Sequence, residues 1–294
     1  MEEKNVLITG ATGTIGKSVI HHLLRRRQIT AVQIIAAVRS LSEGQQELQS
    51  ASGDLEFRHF DFLDVSTYDG ALANIHTMFL LRPPQITDIS GVFRPLIKRA
   101  VALGVRKIVF LSVQGAERSS IIPHNKIERV VKEQGIPYIF LRPGYFMQNL
   151  TGELLEGIKS HNEIFLPGGN ACFNWVDAEN VSEVAAVLLS DLENEKNLVL
   201  EITGSEQLAF DQVATLLTRT LGRKITYRKA SVLGFLTQRI RSGVPPSKAV
   251  VVTALHYLRR FEKSSGLSSV YKEVAGKRPT TLAAFLHHER EAFT

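Results

Sequence analysis

The sequence holds a single cysteine, Cys172, in 294 residues. An internal disulfide and a multi-cysteine metal site are therefore both excluded, and a reducing compartment is expected. No apolar run approaches the roughly 20 residues needed to span a bilayer, so no membrane association is expected. The opening Met1-Glu2-Glu3-Lys4-Asn5 lacks the basic and then long apolar pattern of a secretory leader, and the expected location is cytoplasmic. No HExxH pattern occurs, and His21-His22 and His287-His288 are adjacent rather than four apart, so no metal is expected. Ser119-Ser120 and Ser264-Ser265 lack the glycine-flanked setting of a strained nucleophile turn, which removes acyl transfer. Blocks of one charge sign are missing as well. The net charge of +6 is spread over short groups such as Arg25-Arg26-Arg27, Arg259-Arg260 and Lys277-Arg278, with no interleaved aromatics to stack bases, so nucleic acid is not an expected partner.

What is present is a chain with 44% hydrophobic residues, enough for one large core or two unequal domains. Its first half alternates β-rich runs, at 6–9, 33–38, 56–60, 77–81, 107–112 and 138–141, with helix patterns beginning near Thr14, Ser66, Asp88 and His124. That alternation specifies an α/β fold, a doubly wound parallel sheet of the Rossmann type. After Pro143 helical segments dominate, with short strand-like pieces at 163–166, 198–203 and 224–228. Pro245-Pro246 opens a long helix through Phe261, and Thr280 or Thr281 caps a last helix at 282–290. The expected organisation is a dinucleotide-binding domain at 1–150 and a smaller, mostly helical substrate-side lobe at 151–294. The boundary is soft, because later strands can return to the sheet.

The apolar strand Val6-Leu7-Ile8-Thr9 runs directly into Gly10-Ala11-Thr12-Gly13-Thr14-Ile15-Gly16 and then a helix. Strand, glycine turn, helix and second strand form one βαβ unit, the setting that makes three spaced glycines specific for a dinucleotide. Gly10 permits the tight turn, Gly13 the approach of a pyrophosphate, and Gly16 the packing of helix on strand, while the helix N-terminus offers free N–H groups. The second strand ends in Val38-Arg39-Ser40, where an NAD-preferring site would place an acid for the ribose hydroxyls. Arg39 can fork onto a 2′-phosphate and Ser40 can add a donor, so NADP(H) is expected in preference to NAD(H). Asp61 and Phe62 end the third strand and are candidates for the adenine side, although Asp61 also suits a plain strand-end cap. Ser112 ends the fifth strand at the edge where open α/β sheets bind ligands; it can donate to a substrate oxygen or cap backbone groups.

Val6 to Gly16, Arg39, Asp61-Phe62, Phe79-Leu80-Leu81-Arg82-Pro83, Ser112 and Leu141-Arg142-Pro143-Gly144-Tyr145-Phe146-Met147-Gln148-Asn149 together resemble the NmrA-like atypical short-chain dehydrogenases. The likeness continues through Asn174-Trp175-Val176-Asp177, Leu200-Glu201-Ile202-Thr203-Gly204 and Gly276-Lys277-Arg278-Pro279. It implies an NADP-binding domain with a small C-terminal lobe closing over the nicotinamide, in a family that includes quinone reductases, dye reductases, ergot-alkaloid dehydrogenases and redox-sensing regulators. On this resemblance Thr12, Thr14, Ile15, Leu81, Arg82 and Pro83 join the cofactor site, and Pro143, Gly144, Tyr145 and Phe146 lie along the nicotinamide. Lys126 fits the lysine that anchors the nicotinamide ribose, but Ile122 occupies the position four residues earlier where a tyrosine acid is the rule. Tyr145 is a candidate proton donor or pocket wall, and Asn149, Phe173 and Trp175 are candidates for the substrate side. The expected function is hydride transfer from NADPH to a small electron-poor acceptor such as a quinone, azo dye or iminium. The alternative is a non-catalytic NADP(H)-sensing regulator that binds a protein partner.

Overall fold

The computed structural model describes residues 4–26, 32–118, 120, 122–192, 195–261 and 266–294; Arg27, Ser119, Ser264 and Ser265 lie outside the described residues. In chain order the first half runs β1 (Lys4–Ile8), α1 (Thr14–Arg26), β2 (Val32–Val38), α2 (Leu41–Glu47), β3 (Glu56–His59), α3 (Tyr68–Leu72), β4 (Thr77–Leu80), α4 (Arg94–Ala102), β5 (Lys107–Leu111), α5 (Pro123–Lys132) and β6 (Tyr138–Pro143). The second half adds β7 (Tyr145–Phe146), α6 (Leu155–His161), β8 (Glu163–Leu166), β9 (Cys172–Val176), α7 (Ala178–Ser190), β10 (Leu198–Ile202), β11 (Glu206–Ala209) and α8 (Phe210–Leu221). It closes with β12 (Thr226–Lys229), α9 (Val232–Arg241), α10 (Pro246–Leu258), α11 (Val270–Ala275) and α12 (Leu282–His288).

The continuous apolar runs of β1, β2, β4 and β5 are what a sheet covered on both faces requires, and Val6, Leu7, Ile8, Phe79 and Val109 are fully buried. Seven strands pair in the order β10-β6-β5-β4-β1-β2-β3, parallel throughout. Val6 stands opposite Ile34 of β2 on one side and Thr77 of β4 on the other. The strand order therefore reverses between β1 and β4, and ligand crevices in such sheets open outside the carboxyl ends at that reversal.

Two compact units divide the chain. The first comprises Met1–Pro143, Ala178–Ile202 and Val270–Lys277; the second comprises Gly144–Asp177, Thr203–Ser269 and Arg278–Thr294. The chain passes between the units repeatedly rather than once near residue 150, because β10 pairs with β6, with Leu200 opposite Leu141, and α7 packs on α1. Within the second unit, β11-β9-β7 form one small sheet and β12 pairs with β8. Its core gathers Trp175, Phe210, Leu217, Phe285 and Phe293. Among the described residues no helix is long and apolar enough to cross a membrane, and no group of three or more His, Cys, Asp or Glu is placed to hold a metal ion.

Candidate active site

Past β1 the chain turns at Gly10, whose φ of 62° is the left-handed conformation that favours glycine. Beside it Thr9 is fully buried; its hydroxyl donates to the Phe79 carbonyl at 3.0 Å and accepts from the Leu81 N–H at 2.8 Å. One side chain thus ties together the carboxyl ends of β1 and β4 at the sheet's reversal. Gly13 N–H closes the turn onto the Gly10 carbonyl at 3.0 Å. A β-carbon on Gly16 would collide with that same carbonyl, so α1 packs this closely only with glycine there. Thr12, Gly13 and Thr14 are exposed, and α1 carries no acidic residue in its first turn. The first N–H groups of a helix lack intrahelical acceptors; here they and the positive helix end face solvent with no competing carboxylate. That donor set fits a dinucleotide pyrophosphate.

Arg39, directly after β2, is exposed and has no hydrogen-bond or ion-pair partner among the described residues. Ser40 caps α2, its Oγ accepting the Glu43 N–H at 3.3 Å, and it shares a hydrogen bond of 3.2 Å with the Ser42 hydroxyl in which either oxygen can donate. Thr12, Arg39 and Ser40 share a cleft of about 230 Å³ with Glu43, Gly44, Gln46 and Glu47, and Glu47 is itself paired with Lys17. At the next strand end Asp61 accepts the Leu63 N–H at 2.9 Å, a local cap, while the Phe62 ring is buried against Phe60 and Phe93. Beyond β4, Leu81 lies against Gly10. Arg82 holds the following loop by donating Nη1 hydrogens to the carbonyls of Pro83 and Pro84 at 3.1 Å and of Ile86 at 2.9 Å. Burial pulls Arg82 below its ordinary range.

Ser112, just past β5, is 2% exposed, and its hydroxyl donates to Glu128 Oε1 at 2.6 Å. Arg142, near the end of β6, grips the same carboxylate with two donors, Nε to Oε1 at 3.0 Å and Nη2 to Oε2 at 2.7 Å, and reaches Glu117 with Nη1 at 2.5 Å. Burial alone would lower Arg142, but the Glu128 hydrogen bonds and charge outweigh it and the guanidinium is held above its ordinary range. Lys126 is exposed on α5 without a partner among the described residues. Ile122 stands at the cap of that helix in an extended conformation, φ −62° and ψ 124°, because the following Pro123 disfavours helical geometry before it. The position four before Lys126 is therefore the helix cap, its carbonyl accepting the Lys126 N–H at 3.4 Å, and not a residue of the first helical turn. His124, one residue into α5, accepts from Arg82 Nε at 3.5 Å. Burial, and then the Arg82 charge, push its imidazole down to about 3, so it is neutral at ordinary pH.

In the second unit, a β-carbon on Gly144 would strike the Asn174 carbonyl, so this turn rests directly on β9. Tyr145 and Phe146 then pair with Trp175 and Val176. The Tyr145 ring meets Phe173, Trp175 and Phe210 edge-on at centroid distances of 5.0, 4.8 and 5.8 Å. Trp175 is fully buried, its Nε1–H donating to the Leu208 carbonyl at 3.0 Å, and Phe173 is buried beside it; both rings are committed to the core. The side chain of half-buried Asn149 lies near the Tyr145 hydroxyl and draws its pKa down. That hydroxyl also lies 2.9 Å from His256 Nε2, while His256 Nδ1 is 2.8 Å from the Val252 carbonyl. A carbonyl only accepts, so Nδ1 carries the proton and Nε2 accepts from Tyr145. Burial, and then the Glu153 charge, hold the phenol far above its ordinary range, against the opposing pull of Asn149. Burial likewise pulls His256 down, against the Val252 bond.

Thr9, His124, Glu128 and His256 escaped the sequence reading. Arg142 carried a signal that was available: a charged residue inside the apolar strand Tyr-Ile-Phe-Leu-Arg-Pro demands a buried acid somewhere in the chain. Thr9 carried a weaker one, a hydroxyl at the last strand position before a glycine turn.

Among known proteins, the prestalk A differentiation protein A of Dictyostelium discoideum is 25% identical over 282 residues, covering 96% of this chain and 91% of that one. The NAD(P)H azoreductase of Xenophilus azovorans is 26% identical over 292 residues, 98% of this chain and 99% of that one. In structure, the Citrobacter sp. triphenylmethane reductase complexed with NADP(H) superposes with a TM-score of 0.82 at 26% identity, covering 96% of this chain and 99% of that one. Residues 2–286 match the NmrA-like family, and the chain belongs to it.

Proposed function

We propose that this chain passes a hydride from NADPH to a flat, electron-poor acceptor of the quinone, azo-dye or iminium class. More broadly it is an NAD(P)H-dependent oxidoreductase, the activity its azoreductase relative is named for, and the triphenylmethane reductase is solved with NADP(H). The exposed, unpartnered Arg39, which shares a cleft with Thr12 and Ser40, supports NADPH, since its parallel donors suit a 2′-phosphate.

When bound, the cofactor supplies the hydride. The N–H groups of Thr14, Ile15 and Gly16 hold the pyrophosphate, with Leu81, Arg82 and Pro83 shaping the adjoining loop. Lys126 is assigned to the nicotinamide ribose, Asp61 and Phe62 to the adenine side, Pro143, Gly144 and Phe146 to the nicotinamide end, and Asn149 to the acceptor. Tyr145 serves as a positioning residue for Asn149 rather than as an acid.

The acceptor class rests on one observation: apart from Lys126, which is assigned to the ribose, each candidate acid is already engaged. Ser112 gives its hydrogen to Glu128, Tyr145 gives its hydrogen to neutral His256, His124 is deprotonated, and the tyrosine position is Ile122. General acid catalysis contributes about 10²–10⁴-fold where it operates, so an acceptor reduced here must be electrophilic without it. NADPH consumption with quinones and azo dyes, and comparably slow consumption with unactivated ketones, is the expected pattern; equal kcat/KM for a plain ketone would sink it. No turnover beside a clear difference in affinity for NADPH and NADP⁺ would replace the enzyme with a sensor. Arg39→Ala should weaken NADPH binding by about 1 to 3 kcal/mol and leave NADH nearly unchanged.

A further inference from the structure

Helices α9 and α10 leave an apolar face uncovered. Of the twelve exposed large hydrophobic side chains among the described residues, seven fall within residues 231–261. On α10, Val250, Val251, Leu255 and Leu258 recur at helical spacing, and Phe261 extends the same stripe one turn further; Leu255 is 56% and Phe261 70% exposed. The opposite side of α10 presents Ala249, Thr253 and His256, all buried. A helix apolar all round belongs in a covered environment, yet half of this one faces out.

Charge says what covers it. Residues 231–261 contain five cations, Arg239, Arg241, Lys248, Arg259 and Arg260, and no aspartate or glutamate. Glu153 pairs with Arg239 and Lys248, and Arg259 donates to the Cys172 carbonyl. Arg241 and Arg260 face no carboxylate among the described residues. Arg241 precedes α10 and Arg260 follows it, so cations bracket the stripe at both ends. We propose that this face rests on an anionic lipid bilayer, with the aliphatic stripe at the acyl boundary and Arg241 and Arg260 on headgroup phosphates. A second copy is a poor occupant, since a two-fold contact would set the same cations against themselves. A protein partner is disfavoured because an aliphatic stripe gives it no directional polar contact, whereas a fluid surface needs none.

Co-sedimentation of the full chain with phosphatidylcholine vesicles, alone or mixed with phosphatidylglycerol, tests the idea at low salt. Binding to the anionic vesicles well above the neutral ones is expected. Arg241→Gln with Arg260→Gln should lower the partition constant about thirty-fold, each cation being worth a factor of about five. Val251→Asp with Leu258→Asp should abolish binding. Unchanged NADPH affinity in both variants would show that they fold. Binding to neither vesicle, equal binding to both, retention on an acidic polypeptide without vesicle binding, or a dimer dissociated by the aspartates would each overturn the proposal.

Discussion

Replacing Arg142 by methionine tests the buried network behind the carboxyl edge of β5 and β6. Glu128 is 3% and the Arg142 side chain 9% exposed, so the substitution strands a carboxylate in the interior with only the Ser112 hydroxyl as partner. Breaking one half of a buried pair costs about 3 to 5 kcal/mol, because the surviving charge has lost its solvation without compensation. In a chain of this size that is a fall in Tm on the order of 10 °C. Glu128→Leu alone should cost less, since Arg142 keeps Glu117, whose side chain is 43% exposed and remains solvated. The double variant Arg142→Met with Glu128→Leu replaces the pair by apolar groups and should recover most of the loss. Urea melts of the four proteins give the coupling energy directly. A single-variant cost under about 1 kcal/mol, or a double variant as unstable as the two singles summed, would refute the reading of a desolvated pair.

Gly16→Ala drives a β-carbon into the Gly10 carbonyl and should raise the NADPH Kd about ten-fold or more, while Gly70→Ala, with open space around it, should leave it alone; equal effects would remove the packing argument. The folded pKa of His124, about 3, lies below the ordinary value near 6.5, so the unfolded chain binds the extra proton. Its contribution is therefore complete above about pH 6.5 and lost as pH falls, by about 2 kcal/mol at pH 5. Urea midpoints at the two pH values check this, and His124→Asn should flatten the slope by that share. Tyr145→Phe removes a donor to His256 and should cost about 1 kcal/mol of stability with little change in kcat; a loss of about 10² or more would make Tyr145 the acid after all.

The fold was legible where information is local. Strand, glycine turn and helix from Lys4 to Arg26 are contiguous, and their periodicities switch within a few residues. Thr281 caps α12 as its sequence position suggests, accepting the Ala284 N–H at 3.2 Å. The strands of the second unit were harder. β7 is two residues long and β11 four, too short to display alternation, and they exist because Tyr145 and Glu206 both find Trp175 across the ladder. The return of β10 to the main sheet follows from its parallel register with β6, a match between segments some sixty residues apart that neither segment announces by itself.

The site divides along the same line, and the division bears on what it can do. Residues whose role depends on backbone shape, Gly10, Gly13, Gly16 and the N-terminus of α1, could be read from spacing because the turn that needs them is local. Residues whose role depends on who reaches them could not. Ser112 looked equally suited to donating to a ligand or to satisfying its neighbours, and only Glu128, sixteen residues on, settles where its hydrogen goes. Tyr145 suited a proton donor or a pocket wall equally, and its hydrogen-bond partner His256 stands more than a hundred residues away in the sequence. Each long-range partner removes a proton from the reach of a ligand. On the function proposed above, a site that spends its acids on its own architecture would keep binding and hydride positioning, and that combination would select acceptors able to take a hydride without being protonated first.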